Sequence, residues 1–528
     1  LKLSLSEPHK NSPNKPPVGA DYIASACVIL LIFYLSWGTG LVTDDFVHIW
    51  QALDWNLSEN LLPREYASIP LLHYTQGLVF FLVGDRPWIY DIIKVVYLGA
   101  AVYFSSEFFR LFCERRRSLL LGFFLVFFPL HDAADYSLTM FYLIESLSFY
   151  LFAFALGYRG RFGLAVLFAV FGSFSSYGSP PIALGLAFAA FLMGRPRLLL
   201  AVLLPNLVYV AYYLSSSLIF KVGTARLIGE MTIPSLVKGF ILEAVTFVDA
   251  AFGPSAWLKF FYSIASLNLT ALVIAIAVSA LAIFYIRKPQ EVETEGRVPF
   301  AVVVSSVGIV ILTFGMFTLT GLYPHIAFNL GDRIMVYGSF MLICVLASIR
   351  VPRAVESGII TFVVLAIVGI SVHWKDWNHN VGRVAENIRA NRDIGNLSQQ
   401  RLFVSHNQFS RLGPFAHIEF FNPSYVVRAF FNLTLQKQTP FETASFNTRL
   451  EFDGIRLRDR KFGDEFPVRE GIWLYNSEQD KLEFVRAEAI QSRLDALPDE
   501  DRHWTQMVEN PKFKALMSWL FPRLSYAF

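Results

Sequence analysis

Long apolar runs, separated by short polar breaks, recur from Asp21 to Arg350, and one more ends near His373. Runs of roughly 17–25 apolar residues are long enough to cross a bilayer as helices, which satisfy their own backbone polar groups in lipid. The pattern predicts about eleven spans, near 21–42, 88–112, 118–130, 138–157, 162–178, 180–194, 197–214, 262–286, 298–318, 332–349 and 356–373. After Trp374 the long runs stop. There RLFVS (401–405), RLEFDGIRLR (449–458), GIWLYN (471–476) and LEFV (482–485) read as strands by β-branched and aromatic content, and 424–435, 487–497 and 508–520 read as helices. The expected fold class is a polytopic α-helical membrane protein with a small C-terminal α/β domain. Its parts are a polar tail at 1–20, a membrane domain at 21–373 and a soluble domain at 374–528. No internal repeat stands out, nor any low-complexity tract beyond the first twenty residues.

Composition supports the membrane class. Of 528 residues 54% are hydrophobic and 16% charged, with 51 Phe, against about 25% charged residues in ordinary soluble domains. Charge is uneven: 21 Lys and Arg and 20 Asp and Glu lie between Trp374 and the C-terminus. The tail is therefore expected to be soluble. Its balanced charge, like the whole-chain +3, gives no reason to expect nucleic acid. Cys27, Cys113 and Cys344 lie in or beside apolar runs, which offers neither a disulfide framework nor a thiolate metal site. The first run is long and followed by no small-residue cleavage site, so it reads as a retained span and not a removed signal peptide.

Basic residues give an orientation, because short cytoplasmic loops carry the excess of Lys and Arg. Lys10 and Lys15 put the N-terminus inside, and the first span then exits at Asp44 and Asp45. Residues 69–83, IPLLHYTQGLVFFLV, are short and carry His73, Tyr74 and Gln76, and are read as an interfacial helix within the outer segment 43–87. With that choice Arg115–Arg117, Arg159 and Arg161, Arg195 and Arg197, Arg287 and Lys288, and Arg350 and Arg353 all fall inside. The expected location is a bacterial inner membrane, with the soluble domain on the extracytoplasmic side.

The unusual polar residues then collect outside. Asp44 and Asp45 could cap and charge-complement the helix DFVHIWQALDW. Alternatively, one of them is a general base that takes a proton from an acceptor hydroxyl. A second acidic group, His131, Asp132 and Asp135, emerges on the same side and could hold a divalent metal ion. In GLYPHIAFNLGDRIMVYG (321–338), Arg333 could bind a phosphate or anchor the interface, and His325 could assist it or be a hydrogen-bonded histidine. In the tail, His406, Asn407 and His417 are candidates for the acceptor side, against ordinary loop polarity. Glu145 lies within a span and either serves function or hydrogen-bonds inside the bundle.

This layout resembles the GT-C superfamily of membrane glycosyltransferases, which includes protein O-mannosyltransferases and the lipid A aminoarabinose transferase. The resemblance rests on a first span leading into an outer acidic motif, matched by Asp44 and Asp45, and a second-loop acidic position, matched by Asp132 or Asp135. A PPL-type stretch is partly matched by Pro70, Leu71 and Leu72, then FFLVGDR at 80–86, with Ile69 where the pattern has its first proline. The resemblance implies a polyprenyl-phosphate-linked sugar donor, a glycan, lipid or protein acceptor, and inversion at the anomeric carbon through an oxocarbenium-like transition state. An O-antigen polymerase or ligase, which usually relies on external arginines, is the nearest rival. A lipid-linked substrate transporter or flippase is the other, although the spans carry few charges and no paired halves.

Overall fold

The computed structural model describes residues 18–54, 69–216, 232–287, 297–320, 324–397, 401–436, 439–461, 463–498, 500, 502, 504–507 and 510–520. Most of the expected polar tail, residues 1–17, lies outside the described residues, as do 55–68 of the outer segment, Lys288, and the first two residues of the expected helix at 508–520. The helices, in chain order, are α1 (Val18–Ser36), α2 (Asp44–Asp54), α3 (Pro70–Val83), α4 (Pro87–Phe109), α5 (Arg115–Val126) and α6 (Asp132–Tyr136). They continue with α7 (Tyr142–Tyr158), α8 (Phe162–Ser175), α9 (Ser179–Leu192), α10 (Pro196–Leu214), α11 (Ile233–Phe252) and α12 (Pro254–Ala265). The last of the membrane part are α13 (Leu269–Arg287), α14 (Phe300–Thr320), α15 (Val336–Ser348) and α16 (Arg353–Ala390).

Among the described residues, seven helical stretches are long and apolar enough to cross a membrane: α4, Arg115–Tyr136, α10, α13, Phe300–Leu319 of α14, Leu330–Ser348 and α16. The expected spans at 21–42, 138–157, 162–178 and 180–194 fall on shorter apolar helices, namely Ser25–Ser36 of α1, α7, α8 and α9. Several boundaries differ from the expectation by a few residues, and two differ in kind. The run at 262–286 is broken between α12 and α13, where the Asn268 side chain accepts a hydrogen bond from Ala271 N at 2.9 Å and starts the new helix. The last span does not stop at His373: α16 has 38 residues, about 57 Å at 1.5 Å per residue, well beyond the roughly 30 Å of a hydrocarbon core.

Basic residues from separate loops gather at one end of the bundle. Glu107 pairs with Arg159 at 2.6 Å and Arg110 at 3.1 Å, Arg117 with Glu356 at 3.9 Å, and Arg287 donates to Ser357 at 2.7 Å. This end is called the basic face, and the one bearing Asp44, Asp132 and Asp332 the acidic face. α3 belongs to the acidic face, since Gln76 donates to Leu138 O at 2.7 Å. It contains a five-residue π-helical turn, His73–Gly77.

The tail holds a four-stranded sheet in the order β4 (Glu442–Ser445), β1 (Arg401–Ser405), β8 (Gly471–Asn476), β9 (Lys481–Arg486). β1 is parallel to both neighbours, and β9 is antiparallel to β8. The remaining strands form a hairpin of β2 (Phe409–Leu412) and β3 (Phe415–Glu419), and a three-stranded antiparallel sheet of β5 (Leu450–Phe452), β6 (Arg456–Asp459) and β7 (Glu465–Pro467). The stretch 449–458, expected as one strand, is thus a hairpin, reversed near Gly454 at φ 93°. Alternation along β1 assigns its two faces. Leu402 and Val404 join the core that runs on into the membrane helices, whereas Phe403 joins a separate core with Leu457, Ile472 and Val485. Helix α17 (Ser424–Thr434) lies against α2, with Phe46 edge-on to Phe430 at 5.0 Å.

Close helix contacts depend on glycine. A Cβ at Gly369 of α16 would collide with the Ser263 carbonyl oxygen of α12. Because that neighbour is backbone, Gly369→Ala must separate the helices. We expect a loss of about 1–3 kcal/mol, seen as a lower thermal midpoint in detergent, whereas Gly358→Ala, with nothing within 4 Å, should leave the midpoint unchanged.

Candidate functional site

The chain leaving α1 turns through Gly38 and Gly40, both at positive φ (80° and 68°). Glycine tolerates this conformation because it has no Cβ. Gly38 N donates to Asp91 at 2.9 Å, and the buried Lys94 ammonium donates to Thr39 Oγ1 at 2.9 Å and to the Gly40 carbonyl. These α4 residues fix the turn that delivers Thr43, Asp44 and Asp45 to the head of α2. Thr43 donates to Glu419 O of β3 at 2.7 Å, so its hydroxyl fastens the tail to this turn.

The two aspartates then part. Asp45 is fully buried and accepts from Val42 N at 3.1 Å, Thr139 N at 2.9 Å and Ser137 Oγ at 3.3 Å. Burial pushes its carboxyl above the ordinary aspartate range, while Lys94 and the backbone donors pull the other way. Asp44 is only partly buried, and the Tyr425 hydroxyl of α17 reaches its Oδ1 at 3.4 Å. Two acids in the first turn of α2 also suit its helix dipole.

A second centre forms around Lys259 of α12. Its ammonium pairs with Asp132 at 2.5 Å and Asp332 at 2.6 Å, and all three side chains are at most 1% exposed. Asp332 also accepts from Ala133 N at 3.2 Å. Asp132 Oδ2 meets Trp374 Nε1 at 2.6 Å and His417 Nε2 of β3 at 2.9 Å. Burial works against the charge on Lys259, but the two carboxylates overcome it and raise its pKa. Burial lowers the pKa of His417, against the pull of Asp132.

The other candidates lie elsewhere. His131 does not join Asp132: its Nδ1 contacts Ser339 Oγ at 2.7 Å and its Nε2 contacts Val126 O at 3.1 Å. Asp135 is buried, 3.8 Å from His131. His325 is enclosed, with Nδ1 2.6 Å from Glu243 and Nε2 3.3 Å from Thr313, and with Phe247, Phe314 and Phe317 around its ring. Arg333 is 7% exposed and donates to Leu330 O at 3.0 Å. Asn407 links Ser477 and Asn380, His406 contacts Ser405, and both have positive φ. Of the three tail candidates, His417 reaches the acidic loops, where it is buried against Asp132. Glu145 is buried in α7.

Asp132, Asp332 and His417 offer three ligand atoms within 4.8 Å of one another. They do not suit a divalent ion as they stand, since the Lys259 ammonium already lies against both carboxylates. Sequence reasoning misses Lys259 and Lys94. The signal available was a single lysine inside an otherwise apolar stretch, WLKFF or IIKVV, where a charge must find a partner. No family model and no curated protein matches the chain.

Lys259→Met should leave two buried aspartates without their cation and cost about 3–5 kcal/mol, read as a lowered thermal midpoint. Chelation of divalent ions by EDTA should leave the wild-type midpoint unchanged. His417 gives a pH signature. Its pKa is lower folded than unfolded, so its neutral form is favoured in the fold. The stabilisation it provides over His417→Gln should be full above the ordinary histidine value of about 6.5 and shrink as pH falls below it. A difference independent of pH would contradict this.

Proposed function

We propose that this protein is a membrane glycosyltransferase that moves a sugar from a polyprenyl-phosphate donor to an acceptor hydroxyl at the acidic face, with Asp44 as general base. The observation that carries this reading is the different fate of two adjacent aspartates. Asp45 is consumed by three hydrogen bonds that lock the first outer loop to the second, while Asp44 stays partly exposed beside the tail. The reading takes the shorter apolar helices as crossing too, giving about eleven spans, and takes the acidic face as extracytoplasmic.

In the proposed step Asp44 accepts the proton of the acceptor hydroxyl as its oxygen bonds to the anomeric carbon. The bond from that carbon to the phosphate oxygen breaks, polyprenyl phosphate departs with the electron pair, and the configuration inverts. A phosphate leaves without prior protonation, so the base matters more than an acid. Tyr425 places α17 next to this carboxylate, which suits a tail that positions the acceptor.

Asp44→Asn keeps size and hydrogen-bonding capacity but removes the basic oxygen. We expect turnover, measured as release of polyprenyl phosphate from a panel of radiolabelled polyprenyl-phosphate sugars, to fall by roughly 10²–10⁴-fold at unchanged thermal midpoint. Asp45→Asn should instead lower the midpoint, because an amide NH₂ would face backbone donors at a cost of about 1–3 kcal/mol. Full turnover by Asp44→Asn with a substrate the wild type uses would rule out the base.

A further inference from the structure

We propose that the basic face holds a binding site for one anionic diacyl phospholipid, separate from the acidic-face site and independent of the glycosyl-transfer reading. Two adjoining grooves, each of about 310 Å³, share Val28, Leu119 and Tyr285 in their walls. The first lies between α1, α5 and α13 and is almost wholly carbon, with Leu31, Phe123 and Leu281 along it and Arg116 in its lining. The second passes the other flank of α1, over Ile32, Gly99 and Val102, and is lined also by Ser106, Arg110 and Arg115. Two apolar channels with a shared wall and basic residues in both linings match two acyl chains and one anionic head.

Charge supports that choice of occupant. Three arginines follow Glu114 in sequence at the start of α5, and Arg110 adds a fourth nearby. Glu107, an acid in the lining of the second groove, is shared by Arg110 and Arg159, and Glu356 is approached by Arg117. Among the described residues here, Arg110, Arg115, Arg116, Arg117 and Arg159 outnumber Glu107, Glu114 and Glu356. The Arg116 guanidinium stands 5.1 Å from the centre of the Tyr285 ring, at the shared wall. Guanidinium groups bind phosphate oxygens through paired N–H donors, and basic residues at the ends of membrane helices select anionic lipids. Gly99 has nothing within 4 Å of where a Cβ would stand, so a larger residue there fills the second groove without displacing a neighbour.

The test is native mass spectrometry of the full chain in detergent with equal amounts of dioleoyl phosphatidylglycerol and dioleoyl phosphatidylcholine. Wild type should retain one phosphatidylglycerol with a preference of about tenfold or more, given the contribution of each basic residue near a phosphate. Arg115→Gln with Arg116→Gln should abolish the preference, and Gly99→Leu should reduce retention of both lipids. Equal retention of the two lipids by wild type would overturn the proposal, as would a preference that survives the double arginine variant. If that variant does not purify, unchanged phosphatidylglycerol retention by Gly99→Leu overturns it alone.

Discussion

Lys259 sits buried between Asp132 and Asp332, and a charge so placed is tolerable only while its partners stay within hydrogen-bond reach. The acidic face is organised around that requirement, because it binds distant parts of the chain to each other. Asp132 opens α6, Asp332 precedes α15, Lys259 comes from α12, and Trp374 and His417 extend the cluster to α16 and the tail. Segments distant in sequence are thus joined into one surface by ion pairs and hydrogen bonds.

That surface gives neighbouring residues different chemistry. Asp44 and Asp45 have the same side chain and differ by one position, yet one is immersed in backbone donors and the other remains partly open. A carboxylate committed to several N–H groups is a structural anchor. Its neighbour Asp44 stands at the partly exposed side of the same turn, where the Tyr425 hydroxyl of α17 reaches it. The same logic encloses His325, which Glu243 and a ring of phenylalanines draw inward.

The C-terminal domain is part of the same construction. The alternation of β1 sends Leu402 and Val404 toward the core shared with the membrane helices and Phe403 toward the domain's own core. Thr43 and Phe46, just before and within α2, bond and pack against β3 and α17. The domain therefore forms one wall of the acidic face, and α16 carries it there as a continuous helix.

The sequence by itself determined the membrane class, the grouping of basic loops on one face and the strands RLFVS and GIWLYN, because each is written in local periodicity or composition. It also located the acidic loops and His417. It did not show that α16 continues past Trp374, since polar residues after an apolar run read equally as a loop or as helix beyond the membrane. Nor did it separate Asp44 from Asp45, link His417 to Asp132, or find Lys259. Those depend on which groups meet across hundreds of residues, and only tertiary packing decides whether a carboxylate faces a lysine, a backbone amide or water.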